Sequence, residues 1–226
     1  MNNTPKAVCI ISGGMDSALA AKIAKDESYE IIALHFNYGQ RTQTKELDSF
    51  RKIKESLGVV ESYEINLDFF EQIGASALTN KRIDVPTGGI EEGVPVTYVP
   101  FRNGIFLSIA AAIAEKHAAN ALFIGVVEED SSGYPDCRES YIRQMQNAIN
   151  LGTKEETNLE IKMPLVALSK AQIVAEALKR NVPLEHTWSC YKNEEKACGV
   201  CDSCRLRLKG FEKAGAKDPI AYADTP

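Results

Sequence analysis

Residues 7–24 read AVCIISGGMDSALAAKIA, and no other stretch restricts the possible folds of the chain so strongly. An apolar run breaks at Ser12-Gly13-Gly14 and resumes after Asp16-Ser17 with helical spacing, which predicts a buried strand entering a helix through a tight turn. A turn of this kind aims backbone N–H groups into one concavity, the helix dipole favours an anion there, and glycines let a phosphate approach. Ser12 and Ser17 add hydroxyl donors. The familiar ATP loop, G-x-x-x-x-G-K-[ST], sends a lysine to the β- and γ-phosphates, and this turn has none. Asp16 is out of place beside an anion unless it caps the helix or ligates a magnesium shared with the phosphates.

The βα alternation continues, with strands near 7–11, 30–36 and 60–65 and helices near 16–26 and 43–57, where Leu47, Phe50, Ile53 and Leu57 share one face. Residues 66–100 interleave Gly and Pro with charges and predict a long loop, either a lid or a surface insertion. RNGIFLSIAAAIAEKHAA predicts a buried central helix and ALFIG a strand, and VVEEDSSGYPDCRES has the character of a loop at a strand's carboxyl end. Ser169 and Gln172 are spaced as a capping box for a helix that Pro183 follows. The expected fold is an α/β, Rossmann-like parallel sheet with helices on both faces over residues 1–186, followed by a small C-terminal module over 187–226. Arg102 and Lys170 open apolar helices, where a cation opposes the dipole by roughly 0.3–1 kcal/mol. Each position therefore calls for a compensating anion.

That module carries Cys190-x7-Cys198-x2-Cys201-x2-Cys204. Four thiolates with two short spacings suit a closed, tetrahedral structural zinc, one per chain, better than the ferredoxin run, which ends in Cys-Pro. Cys9 reads as a small buried hydrophobe, whereas Cys137, beside Arg138, is a candidate nucleophile of lowered pKa. The longest apolar stretch, 105–114, is too short to span a membrane, no signal-like segment opens the chain, and the expected location is cytoplasmic. A net charge of −5 and a pI near 5.4 argue against direct nucleic-acid binding.

SGGMDS as a whole resembles the loop of the PP-loop ATP pyrophosphatase superfamily, whose adenine nucleotide alpha hydrolase-like members hold pyrophosphate and cleave ATP between the α- and β-phosphorus. The motifs FNYGQR, SALT, VPFRN, GYPDCR, NLGT, PLVALSKAQIV, TWSCY and CGVCDSCRLRLKGF, in this order, resemble the 7-cyano-7-deazaguanine synthase family over nearly the whole chain. That resemblance implies a ligase using ATP, Mg2+, ammonia and 7-carboxy-7-deazaguanine to make the nitrile precursor of queuosine, a modified nucleoside of tRNA, and implies a homodimer. It places ATP on Ser12, Gly13, Gly14, Asp16 and Ser17; Ile11, Met15, Ala18 and Asn103 are further cofactor-binding candidates, and the two helix-opening cations, Arg102 and Lys170, are candidates for the phosphates. Asp16, Arg102, Lys170 and Asp130 are the candidate catalytic residues, and Tyr38, Gln40, Arg41, Glu128, Gly133, Tyr134, Asp136 and Arg138 the candidate substrate pocket. Phe101 stands where the family is expected to carry Gly. A tRNA thiolase and a non-catalytic, zinc-ordered nucleotide-binding module are the alternatives.

Overall fold

The structure, a computed structural model, describes residues 4–59, 61–89, 93–128 and 133–223. In chain order the elements are β1 (Lys6–Ile10), α1 (Met15–Asp26), β2 (Glu30–Asn37), α2 (Gln43–Ser56), β3 (Glu61–Asn66), α3 (Phe69–Ile73), α4 (Arg102–His117), β4 (Ala121–Phe123), α5 (Glu139–Gly152), β5 (Glu160–Lys162), α6 (Lys170–Lys179) and α7 (Asp202–Lys213). Among the described residues the strands form one parallel sheet in the order β3-β2-β1-β4-β5. The order reverses between β1 and β4, which leaves a crevice at their carboxyl ends.

Alternate residues of β1 feed two cores. Val8 and Ile10 join α4 and α5 on one face, while Ala7, Cys9 and Ile11 join α1, α2, α6 and α7 on the other. Both faces are thus covered, which is why β1 and β2 read as continuous apolar runs instead of alternating ones. Cys9 is 1% exposed, a core residue. The capping box forms: Ser169 Oγ accepts from Gln172 N, and Gln172 Oε1 accepts from Ser169 N at 2.8 Å.

The long segment after β3 is neither a lid nor a loose insertion where it is described. Ser76, Ala77 and Leu78 are buried, and Ala77 joins Val85 in a third apolar cluster with Trp188, Cys190, Cys201 and Cys204. Arg41 holds this segment by donating from Nε to the Ala77 carbonyl at 2.6 Å and from Nη2 to those of Asn80 and Ile83 at 3.1 and 2.6 Å. Arg205 Nη2 donates to the Thr87 carbonyl at 2.7 Å. The segment is a wall between the sheet and the cysteine module.

Candidate active site

The turn after β1 forms as its composition requires. Gly13 has φ +92°, and a Cβ there would lie 2.5 Å from the Glu46 carbonyl, so only glycine fits between the turn and α2. Ser17 Oγ donates to the Gly14 carbonyl at 3.0 Å and accepts from Ser12 N at 3.1 Å. Asp16 is not the cap of α1, because Gly14 occupies that position. Its Oδ2 meets Lys170 Nζ at 2.7 Å, while Oδ1 is buried without a hydrogen-bond partner. The anion that offsets Lys170 at the start of α6 is therefore the Asp16 carboxylate, and an orphaned carboxylate oxygen remains of the kind that a hard cation takes as a ligand.

One cavity opens at the carboxyl ends of β1, β2 and β4. Its wall includes Ile11, Ser12, Gly14, Met15, Asp16, Ser17, Tyr38, Gln40, Arg102, Asn103, Tyr134 and Lys170, so most of the expected site residues do converge. Arg102 is the most telling of them. Its guanidinium lies over the rings of Tyr38 and Phe106, at 5.4 and 5.7 Å from their centroids, and Nη1 donates to Tyr38 Oη at 2.9 Å. Nε is buried without a partner, and among the described residues no carboxylate forms an ion pair with it. A guanidinium keeps its charge at any working pH, so this wall is poised for an anion.

Several expected substrate contacts lie elsewhere. Asp136 is buried, and burial raises the pKa of its carboxyl; Oδ2 accepts from Asn103 N at 2.9 Å and so serves the first turn of α4. Glu128 Oε2 accepts from Glu139 N at 2.9 Å, at the start of α5, where Arg138 is the capping residue. Gly133 has φ +78°, and a Cβ would lie 2.6 Å from the Gly93 carbonyl, which makes it a loop-packing glycine. None of these four lines the cavity, and neither does Ala18, a core residue of α1. Arg41 does line it, but its described hydrogen bonds go to backbone carbonyls. Asp130 lies outside the described residues.

Cys137 reaches the cavity, but its environment reverses the expected chemistry. Burial, followed by the nearby Asp136 carboxylate, pushes its pKa up to about 12, and Asn103 Nδ2 lies 3.3 Å from Sγ. The thiol is protonated at neutral pH and a poor nucleophile. Cys137→Ser is expected to keep product formation within about threefold of the parent, and a loss of several hundredfold in single-turnover assays would contradict this.

The residue that the sequence did not single out is Glu46. It stands in the first turn of α2 on the row of Phe50 and Ile53, and it is a polar interruption of the apolar face. It lines the cavity, where Oε1 accepts from Thr42 Oγ1 at 2.8 Å and Oε2 from Gln40 Nε2 at 3.2 Å. Burial lifts its pKa to about 7, against the Thr42 and Gln40 hydrogen bonds and the positive charge of Arg102. Trp188, Ser189 and Tyr191, which precede or belong to the cysteine module, also line the cavity. Trp188 N donates to the Gly13 carbonyl at 2.9 Å, and Thr42 Oγ1 lies 3.2 Å from the Cys190 carbonyl.

The sulfurs of Cys190, Cys198, Cys201 and Cys204 all lie within 4.8 Å of one another, with Cys198 and Cys204 at 3.9 Å. A tetrahedron with Zn–S of about 2.3 Å has edges of about 3.8 Å. The Cys190 sulfur accepts from the N–H groups of Lys192, Asn193 and Cys198 at 3.3–3.4 Å, as a thiolate ligand does. The cluster is compatible with zinc. Nearby, Arg207 is 1% exposed and makes a two-pronged pair with Asp218 at 2.7 and 2.9 Å, while Nη1 donates to Thr187 Oγ1 at 2.8 Å. These bonds tie α7 to the segment that enters the module.

Comparison with known proteins agrees with this architecture. Residues 6–215 match the family model for queuosine biosynthesis protein QueC. A protein of Sulfurovum sp. (strain NBC37-1) named 7-cyano-7-deazaguanine synthase is 81% identical over 217 residues, covering 96% of this chain and 98% of that one. One of the same name from Aliarcobacter butzleri is 68% identical over 98% of this chain and 97% of its own length. Among solved structures, a 4-thiouridine synthetase in complex with RNA and ATP superposes with a TM-score of 0.53 at 17% identity, over 93% of this chain and 50% of that chain. The NMN synthetase of Francisella tularensis gives 0.50 at 16%, over 95% and 79%. Both share the fold.

Proposed function

The chain belongs to the QueC family of queuosine biosynthesis proteins, and from that membership we infer that it is an ATP-dependent C–N ligase that makes 7-cyano-7-deazaguanine from 7-carboxy-7-deazaguanine and ammonia. A carboxylate resists ammonia because its leaving group would be oxide. Adenylation turns that oxygen into a phosphate ester, ammonia displaces AMP to give the amide, and a second adenylation, of the amide oxygen, allows loss of AMP to the nitrile. The observation that carries this assignment onto the structure is one cavity lined by both the SGGMDS turn and Arg102, a half-buried cation with no ion-pair partner among the described residues.

In this reading the backbone of the turn and the Ser12 and Ser17 hydroxyls hold the departing pyrophosphate. Arg102 takes the charge that develops around the α-phosphorus. Lys170 is released from Asp16 to a phosphate oxygen, and the orphaned Asp16 Oδ1 is the ligand offered to a magnesium, which would supply charge neutralisation. The aromatic wall of Tyr38, Phe106 and Tyr134, with the Gln40 amide, would take the deazapurine. Cys190, Cys198, Cys201 and Cys204 would hold a zinc, which would cross-link the module and leave no open position for chemistry. The division at 186/187 is likewise a proposal: the four-cysteine spacing marks the module, which packs on the first domain through Ala77 and Val85 and through Phe211 of α7. We further propose a homodimer, from the family resemblance, and a cytoplasmic enzyme whose net charge of −5 disfavours direct contact with nucleic acid; no described helix is long and apolar enough to cross a membrane. The protonated Cys137 thiol speaks against thiolase chemistry at this site.

Incubation with ATP, 7-carboxy-7-deazaguanine and ammonium is expected to yield AMP, pyrophosphate and a nitrile identifiable by mass. Absence of AMP under those conditions would overturn the assignment.

A further inference from the structure

Amide formation requires a group that removes a proton from the attacking nitrogen. Among the described residues lining the cavity, the carboxylates are Asp16 and Glu46, and the reading above gives Asp16 to the magnesium. Glu46 lines the cavity and forms no ion pair among the described residues. Resting on the reaction above, we propose that Glu46 is the general base that binds ammonia and accepts its proton as the nitrogen attacks the adenylated carboxyl.

Both carboxylate oxygens are held, Oε1 by Thr42 and Oε2 by Gln40, and each keeps a second lone pair for an N–H donor. Thr42 has one hydroxyl proton and two acceptors in reach, Glu46 Oε1 at 2.8 Å and the Cys190 carbonyl at 3.2 Å. When Glu46 becomes protonated, the threonine proton turns to the Cys190 carbonyl and its oxygen accepts from the new carboxyl O–H. The base is therefore hydrogen-bonded in both of its states, which a buried proton acceptor requires. Gln40 is oriented in turn, because its Oε1 accepts from Tyr38 N at 2.8 Å. The charges that act on Glu46 from neighbouring elements are Arg102 on α4 and Glu194 in the cysteine module; burial and Glu194 favour the neutral acid, and Arg102 the carboxylate.

The step balances. The nitrogen lone pair forms the C–N bond, the C–O bond to AMP breaks with its electron pair on the phosphate oxygen, and one proton passes from nitrogen to Glu46. After the second adenylation the nitrogen still carries two protons: one is lost to solvent as the O-adenylated imidate becomes neutral, and the other passes to Glu46 as the C–O bond breaks again and the nitrile forms. Between steps Glu46 returns its proton to solvent.

The test separates adenylation from amination. Acid-dependent exchange of labelled pyrophosphate into ATP reads the first, and nitrile formed from 7-carboxy-7-deazaguanine and ammonium chloride reads the second. Glu46→Gln is expected to keep exchange within about threefold of the parent while nitrile formation falls about 10²- to 10³-fold. Nitrile formation at the parental rate overturns the role of Glu46, and so does an equal loss of exchange and nitrile, which would place Glu46 in nucleotide binding. If the glutamine variant does not fold, Glu46→Asp is read by the same two assays: a loss confined to nitrile supports the base, and equal rates or equal losses overturn it. Parent protein without acid-dependent exchange overturns the ligase assignment itself, so the two failures are distinct.

Discussion

Arg102→Met is expected to lower acid-dependent pyrophosphate exchange by about 10²- to 10³-fold while leaving the melting temperature unchanged or raised. The activity loss follows from electrostatics: a preorganised donor aimed at charge that develops in the transition state is worth that much when removed from a water-poor site. The stability expectation follows from the same burial. The guanidinium is set over Tyr38 and Phe106 with its Nε unpartnered, and its desolvation is offset by the field of Asp136 and Glu46 instead of an ion pair, so an apolar side chain of similar length removes the cost and the compensation together. A residue kept for packing would give the opposite pattern, lower stability and nearly normal exchange. Exchange assays beside thermal melts decide between them, and exchange above a tenth of the parental rate would remove Arg102 from the phosphate site.

Removing the zinc proposed on the cysteine cluster is expected to lower ATP affinity at least tenfold, although such a metal, with four protein ligands, would do no chemistry. The reason is mechanical. The chain entering the module supplies the N–H of Trp188 to the Gly13 carbonyl at 2.9 Å and the Cys190 carbonyl to the Thr42 hydroxyl, so it holds both the phosphate turn and the start of α2. Without metal, four clustered cysteines either repel as thiolates or take up protons or oxidise, and the apolar cluster of Ala77, Val85 and Trp188 loses its cross-link. Trp188 is the single tryptophan and is 5% exposed, so its emission is expected to shift to the red as the metal leaves. Metal analysis is expected to give about one zinc per chain. Cys201→Ser is expected to reproduce both effects, and unchanged ATP affinity in a metal-free, red-shifted protein would show that the module and the turn are not coupled.

The departure at Phe101 shows how a local feature and a global one can differ in legibility. The sequence marks a large residue where the family is expected to carry glycine, and the structure gives the backbone reason for that expectation: φ is +55°, the left-handed region, at the start of α4. The phenyl ring is half exposed, packs edge-on to Tyr141 with centroids 5.9 Å apart, and sits where a Cβ on Gly104 would collide with it. It does not line the cavity.

What the sequence determined by itself is what short-range periodicity and chemistry encode. The alternation of apolar runs placed the strands and helices, the Ser12-Gly13-Gly14 break placed the tight turn between β1 and α1, the spacing of Ser169 and Gln172 gave a capping box, and the four close cysteines gave a metal-like cluster. Each depends on residues within about one or two turns of each other. Tertiary structure alone decided which polar side chains face the cavity. Arg41 spends its donors on the carbonyls of residues 77–83 and Asp136 its oxygen on α4, while Glu46, inconspicuous in its helix, is left looking into the site. A polar group takes whichever partner the folded chain brings within about 3 Å, and for these residues that partner lies on a distant segment or in the ligand.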